Sequence, residues 1–405
     1  MKPKLIALSI FAATAITVTF YPTIQTALAN TEPSVIIEPP AEIIPVANIE
    51  YPKIEVVFVL DTTGSMSGLI DAAKEKIWSI ASTMASAQNS PDIKMGLVAY
   101  RDRGDAYITK NVALSSDLDS MYAQLMDFNA DGGGDTPESV NQGLDDAVNK
   151  MTWSQDQKTY KVIFLVGDAP AHMDYQDDMK YPDIVALAKE SGIIINTIQA
   201  GQDSQTTNNW QQIANLGNGN YFQVEQTGNA VAISSPYDKK MAELSAKLDD
   251  TRLYYGDKET KRQQAKKEAA GRKLHKEASD EARARRAEFN SAPSGKTNFL
   301  GESELVDAIA SGRVDLSSIK NEDLPESIQA MPVEEQHSLI KQKAVERDNL
   351  NKEMKILAEK RNDYLEQEVA ASGGKKDSLD AKIFSSIRAQ AKEKGLIYDD
   401  DSAKY

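Results

Sequence analysis

Three runs in this chain, IEVVFVL at 54–60, KVIFLVGD at 161–168 and IIINTIQAG at 193–201, are apolar at consecutive rather than alternate positions. A strand that is apolar on both faces has to be covered on both, a condition met inside parallel sheets flanked by helices. Two further runs, KMGLVAYRD at 94–102 and GNYFQV at 219–224, have the same character. Between the runs lie helical patterns, at 68–87, 117–128, 138–151, 181–192 and 208–217. Strand and helix in alternation predict a doubly wound α/β domain with a mostly parallel sheet. Such a sheet places its ligand site beyond the carboxyl ends of its strands, near the point where strand order reverses.

The ends of the chain read differently. Lys2 and Lys4 precede an apolar stretch from Leu5 to Phe20, and Ala27 and Ala29 stand in small-x-small spacing, so residues 1–29 read as a secretory signal peptide. Residues 30–50 are proline-rich and read as an extended linker. Cysteine is absent, which rules out disulfides and a lipid-modified cysteine, and suits an exported bacterial protein of the periplasm or cell surface.

The α/β domain is expected over 51–250, closed by a helix that carries Met241, Leu244 and Leu248. A charged, helical and partly coiled-coil-like region follows over 251–370, and a loosely ordered tail over 371–405. Lys258 to Phe289 reads as a long solvated helix or weak coiled coil. In a second helical stretch, 324–365, Leu350, Leu357 and Tyr364 recur every seven residues while Arg347 and Arg361 occupy the complementary seam.

The formal net charge of −15 argues against general nucleic-acid binding. It is unevenly spread: residues 51–226 carry a net charge of about −12, whereas 251–290 carry about +5.

The first apolar run ends in LDTTGSMSG at 60–68, which crowds a carboxylate and four hydroxyls into one turn. Asp61, Thr63 and Ser65 at alternate positions can converge their oxygens on a hard cation such as Mg²⁺, which takes six oxygens including waters. Ser67 is placed to cap the helix that follows. The turn alone leaves a second reading open, a capped strand end with no metal.

DTTGSMS resembles the D-x-S/T-x-S motif of the von Willebrand factor A domain, whose metal-ion-dependent adhesion site lies at this strand end. The resemblance spans residues 51 to about 250 and is strongest to bacterial exported members of the family. It implies that a threonine from a central loop and an aspartate after a later strand complete the site. DGGGDTPES offers Thr136 and GDAPAH offers Asp168. DTPE also resembles the integrin β-subunit loop, in which a glutamate reaches the metal, so Glu138 stands beside Thr136 as a candidate. In that scheme Asp135 and the Pro137 carbonyl could serve a second ion.

The resemblance implies a non-enzymatic adhesion-type module holding Mg²⁺, with Mn²⁺ or Ca²⁺ as alternatives. It would capture an acidic residue of a protein partner in the cell envelope, with no contact to nucleic acid or, once the signal is cleaved, to membrane. Two other readings stand beside it: a metal-assisted hydrolase with His172 as general base, and a structural envelope stalk whose metal only stabilises the fold. Asp102 reads as a structural or supporting acid. Arg103 to Asp105 spell RGD, and 294–297 spell SGKT, but the latter lacks both the first glycine of a phosphate loop and a preceding buried strand.

Overall fold

Burial along the first strand explains the architecture. In β1 (Lys53–Asp61) every residue after Lys53 is buried, on both faces, so the strand sits in the middle of a covered sheet. The computed structural model describes residues 51–134, 136–228, 233–371 and 379–398; the leader and the proline-rich linker lie outside the described residues. The remaining strands are β2 (Asp92–Tyr100), β3 (Thr109–Ser115), β4 (Tyr160–Gly167), β5 (Ile193–Ala200) and β6 (Tyr221–Val224), in the order β3-β2-β1-β4-β5-β6. All neighbouring pairs are parallel except β2 with β3.

Helices α1 (Ser67–Ala85), α2 (Leu118–Leu125), α3 (Val140–Asn149), α4 (Tyr181–Glu190) and α5 (Ser204–Leu216) cover the two faces. Val57, Val59, Ile163 and Leu165 pack with Leu144, Ile184 and Trp210 of α3, α4 and α5. On the opposite face Val56, Phe58, Leu60 and Phe164 pack with Ile77 and Trp78 of α1 and with Met121 of α2. Strand order reverses between β1 and β4, so the loops after Asp61, Tyr100 and Gly167 gather at one end of the sheet.

Two local expectations are corrected. β3 has no counterpart in the sequence reading, because only Val112 of its seven residues is buried and an edge strand shows no apolar run. Ser67 does not cap α1. A 3₁₀ turn, Gly64–Met66, comes first, Met66 holds the cap position without a side-chain bond, and Ser67 is the first residue of the helix.

The C-terminal half comprises α6 (Asp238–Asp249), α7 (Lys258–Glu277), α8 (Asp280–Ser291), α9 (Lys296–Leu300), α10 (Leu305–Ala310), α11 (Val333–Ala371) and α12 (Leu379–Ala391). The stretch from Lys258 to Phe289 is not a solvated stalk. It breaks at Ser279, whose hydroxyl caps α8, and its two helices dock on the α/β domain, α7 on α2 and α8 on α1. The physical reason is the charge asymmetry noted above, which is complementary within the chain. Lys267 meets Asp117 at 2.6 Å, Lys273 meets Asp127 at 2.5 Å and Arg286 meets Asp119 at 2.5 Å.

Met241, Leu244 and Leu248 of α6 pack with α8, Phe299 and Met354 in a separate small core. On α11 the buried seam is Ile340, Arg347, Met354 and Arg361, while Leu350 and Leu357 are only partly buried. The arginines can lie inside because each is paired. Arg347 donates to Glu304 and to Thr251, and Arg361 donates to Asp238.

The tail expected to be loosely ordered is helical over Leu379–Ala391. Leu379, Ile383, Phe384 and Ile387 join the core on the α1 face of the sheet. Spaced at four, one and three residues, these four share one helical face, a pattern diluted in the sequence by the lysines and serines between them. From Tyr51 onward the chain forms one compact unit.

Candidate metal centre

The site is assembled from three loops at the reversal point of the sheet. β1 delivers Asp61, 1 % exposed, and its Oδ1 accepts from the backbone N–H of Thr63 at 2.9 Å and from the Thr63 hydroxyl at 2.7 Å. The hydroxyls of Thr63 and Ser65 lie 3.4 Å apart. The Gly64 N–H donates to the carbonyl of Gly132 at 3.1 Å, which pins the turn to the glycine-rich loop.

Gly133 sits at φ 70°, and a Cβ there would come within 2.9 Å of the Thr63 Cβ and 3.2 Å of Glu138 Oε1. Only glycine lets this loop pass between those two residues.

Glu138 is the member of DTPES that reaches the cluster. It is 3 % exposed and its backbone is fixed by bonds from its N–H to Pro170 O and from the His172 N–H to its carbonyl. Thr136, by contrast, is exposed and precedes a cis peptide bond to Pro137. Asp135 lies outside the described residues, so the second-ion scheme does too.

The third loop supplies Asp168, whose carboxylate accepts from Gln226 Nε2 at 2.7 Å. The same amide donates to the Ser65 carbonyl at 3.1 Å. Gln226 therefore ties the first and third loops together, a role without a sequence signal because it depends on β6 arriving beside the site.

Electrostatics single this corner out. Burial, and then repulsion from Asp168, push Asp61 up to about 7 against the lowering effect of its Thr63 bonds. Burial, followed by Asp61, Asp102, Asp105 and Asp168, pushes Glu138 up to about 9. Burial, and then the same neighbours Asp61, Glu138 and Asp168, hold the Tyr100 phenol well above its ordinary range. Asp61 Oδ2, Glu138 Oε2 and Tyr100 Oη are buried and have no protein hydrogen-bond partner. Orphaning a buried polar group costs about 1–3 kcal/mol, more for a charged one, a cost that a bound cation would offset at the carboxylates.

Among the described residues no set of three His, Asp or Glu side chains is by itself spaced to hold a metal. A cation here would need a mixed set, carboxylates from Asp61, Glu138 and Asp168 with hydroxyls from Thr63 and Ser65. Those donors are all oxygen, and they fit a hard divalent ion.

The surrounding residues are supports. Asp102 is buried and accepts from Ser139 at 2.8 Å and from the Tyr175 hydroxyl at 2.9 Å, which anchors the residue next to Glu138. His172 is 5 % exposed, stacks on Tyr175, meets Asp174 through Nδ1 at 2.7 Å and faces Asp102 with Nε2 at 3.4 Å. Arg101 reaches the carbonyls of Thr62 and Asn129 and so braces two of the loops.

The RGD tripeptide is used internally. Arg103 pairs with Asp177 and Asp178 across the Tyr175 ring, and Asp105 accepts from the Gly133 N–H at 3.1 Å. SGKT falls in the 3₁₀ turn Pro293–Gly295 and the start of α9, where Lys296 pairs with Asp307.

Residues 55–235 match the von Willebrand factor A domain family. With the strand order and loop placement above, this part of the chain is a von Willebrand factor A domain, and domains of that family commonly mediate metal-dependent protein interactions. Curated relatives include the alpha-protein kinase vwkA of Dictyostelium discoideum, 26 % identical over 29 % of this chain and 19 % of its own length. Another is the uncharacterized protein YfbK of Escherichia coli (strain K12), 24 % identical over 49 % of this chain and 33 % of its own. The chain thus spans a third or less of these relatives.

Among solved structures, proximal thread matrix protein 1 of the mussel byssus with a zinc-occupied MIDAS motif aligns at 14 % identity and TM-score 0.35, covering 44 % of this chain and 42 % of that one. The SpRpn10 VWA domain aligns at 14 % identity and TM-score 0.33, covering 44 % and 89 %.

Proposed function

We propose that the α/β domain is a cation-dependent protein-binding module of an exported protein. The observation that carries this reading is the pair of orphaned, buried carboxylate oxygens, Asp61 Oδ2 and Glu138 Oε2, beside Thr63 and Asp168. Asp61, Thr63, Ser65, Glu138 and Asp168 would hold the ion, Mg²⁺ in the first instance, with Thr136 as the outer alternative to Glu138. When bound, the cation supplies a positive attachment point for a carboxylate of the partner. Thr63 and Ser65 contribute neutral oxygens that leave its charge partly uncompensated. Gln226 and Arg101 keep the three loops in register.

The hydrolase alternative is less well supported, since both ring nitrogens of His172 face carboxylates and its ring is stacked and buried. The docked helices α7 and α8 argue for a rigid platform behind the domain rather than a free stalk.

The test is capture of partners from envelope extracts by wild type and Asp61→Ala, in Mg²⁺ and in EDTA, with circular dichroism to confirm folding. Loss of the same partner on both treatments supports the reading. Equal capture throughout refutes it. Export is tested by sequencing the N-terminus of the mature protein, which should begin at Asn30.

A further inference from the structure

Tyr100 ends β2 directly opposite Asp61 in the register of the sheet. It is fully buried, yet its hydroxyl has no protein partner. A phenylalanine would fill the same space without that cost, so the hydroxyl asks for an explanation.

Two glycines make room for this side chain. A Cβ at Gly167 would come within 2.5 Å of the Tyr100 hydroxyl, 2.8 Å of the Asp61 Cβ and 3.1 Å of Asp61 Oδ2. A Cβ at Gly143 would press on the Tyr100 ring at 3.0 Å. Gly167 immediately precedes Asp168, so the gap holding the phenol opens onto the same corner as the three carboxylates. Gly143 lies against the ring, and Gly167 leaves room for the hydroxyl beside Asp61.

We propose that Tyr100 is a positioning residue of the cation centre, its hydroxyl holding a water shared with Asp61 Oδ2 and Glu138 Oε2. A phenol both donates and accepts, which the carboxylates cannot do when ionised, so it can orient a water between two acceptor oxygens. Mg²⁺ keeps several of its waters when bound to protein, and a fixed hydroxyl that orients one of them favours that shell. Partners that orient a metal's ligands commonly change affinity strongly when removed.

The inference rests on the cation reading above, and one experiment separates the two. Isothermal titration with MgCl₂ and thermal melts in Mg²⁺ and in EDTA are run on wild type and on Tyr100→Phe, which keeps the ring and removes only the hydroxyl. Tyr100→Phe is expected to weaken Mg²⁺ binding by about tenfold, while its melting temperature in EDTA stays level or rises because a buried orphan has gone. A purely structural hydroxyl would instead lower the EDTA melting temperature and leave Mg²⁺ affinity alone, which overturns the inference. Unchanged Mg²⁺ affinity with an unchanged melt overturns it as well. If wild type itself shows no Mg²⁺ heat and no Mg²⁺-dependent shift in melting, the cation reading fails first.

Discussion

Arg286 donates to both carboxylate oxygens of Asp119, at 2.6 and 2.5 Å, across 167 residues of sequence, and both side chains are fully buried. The same guanidinium reaches Asp249 and Ser245, so one side chain joins α8 to both α2 and α6. Breaking a buried pair from one side leaves an uncompensated charge and costs about 3–5 kcal/mol. Arg286→Ala should show that loss in urea denaturation, and adding Asp119→Asn should recover part of it. An Arg286→Ala midpoint equal to wild type would mean that the pair does not fasten the helical region.

Acid sensitivity follows from the same contact. Burial pushes the Asp119 carboxyl up, but Arg286 and then Lys267 outweigh it and hold it far below the usual range. A depressed folded value means that the stabilisation is complete above the unfolded value of about 3.9 and is lost as pH falls below it. Stability should therefore drop from about pH 4 downward, with a shallower slope in Asp119→Asn, as read by denaturant midpoints across pH.

The cation centre has the opposite sign. Asp61 is raised to about 7 in the fold, so without a cation its ionisation opposes folding as pH climbs from the unfolded value toward 7. In EDTA the protein should gain stability on going from pH 8 to pH 6, and Mg²⁺ should flatten that slope. Asp61→Asn should stabilise the metal-free protein by about 1–3 kcal/mol while abolishing the Mg²⁺-dependent increment. Thermal melts of both proteins, with and without chelator, check the two signs together.

Glu138 and Thr136 make unequal claims on the ion. Glu138 is buried against the Thr63 turn and Thr136 is exposed. Glu138→Gln should weaken Mg²⁺ binding by about tenfold or more, and Thr136→Ala by less than about threefold. Calorimetric titration giving the reverse order would restore the threonine as the ligand.

The last helix should behave as core. Ile387 of α12 is 1 % exposed. Ile387→Ala should cost about 2–4 kcal/mol by loss of burial and a residual cavity. A midpoint shift no larger than that of an exposed substitution would show that α12 detaches readily in solution.

The central sheet was legible because β1, β4 and β5 announce themselves as unbroken apolar runs. Asp61 and Asp168 were legible as candidates because their motifs fall at the ends of β1 and β4, and Glu138 because its glycine-rich motif leads into a helix. β3 escaped because an edge strand with one buried residue leaves no pattern, and Tyr100 and Gln226 because their roles come from what other strands bring beside them. Arg347 and Arg361 looked like flaws in a seam, since sequence shows the charge but not Glu304 or Asp238 waiting across the interface. The +5 segment was visible as a number, although its target, the acidic surface of the same chain, was not.

The docking of α12 also sets an order of events in synthesis. Gln390 bonds to Tyr160 across 230 residues, and the Tyr398 hydroxyl to the Met84 carbonyl across 314. The core of the α/β domain is therefore closed by residues made long after its strands. A ribosome-bound chain can build the sheet and its early helices, but the part of the α1 face that α12 covers stays open until residues 379–398 have been made. Closing the core in this way means closing a loop of 230 to 314 residues, the kind of long-range contact that slows folding, and a nascent chain stalled before residue 379 would leave greasy surface open to whatever chaperones attend it.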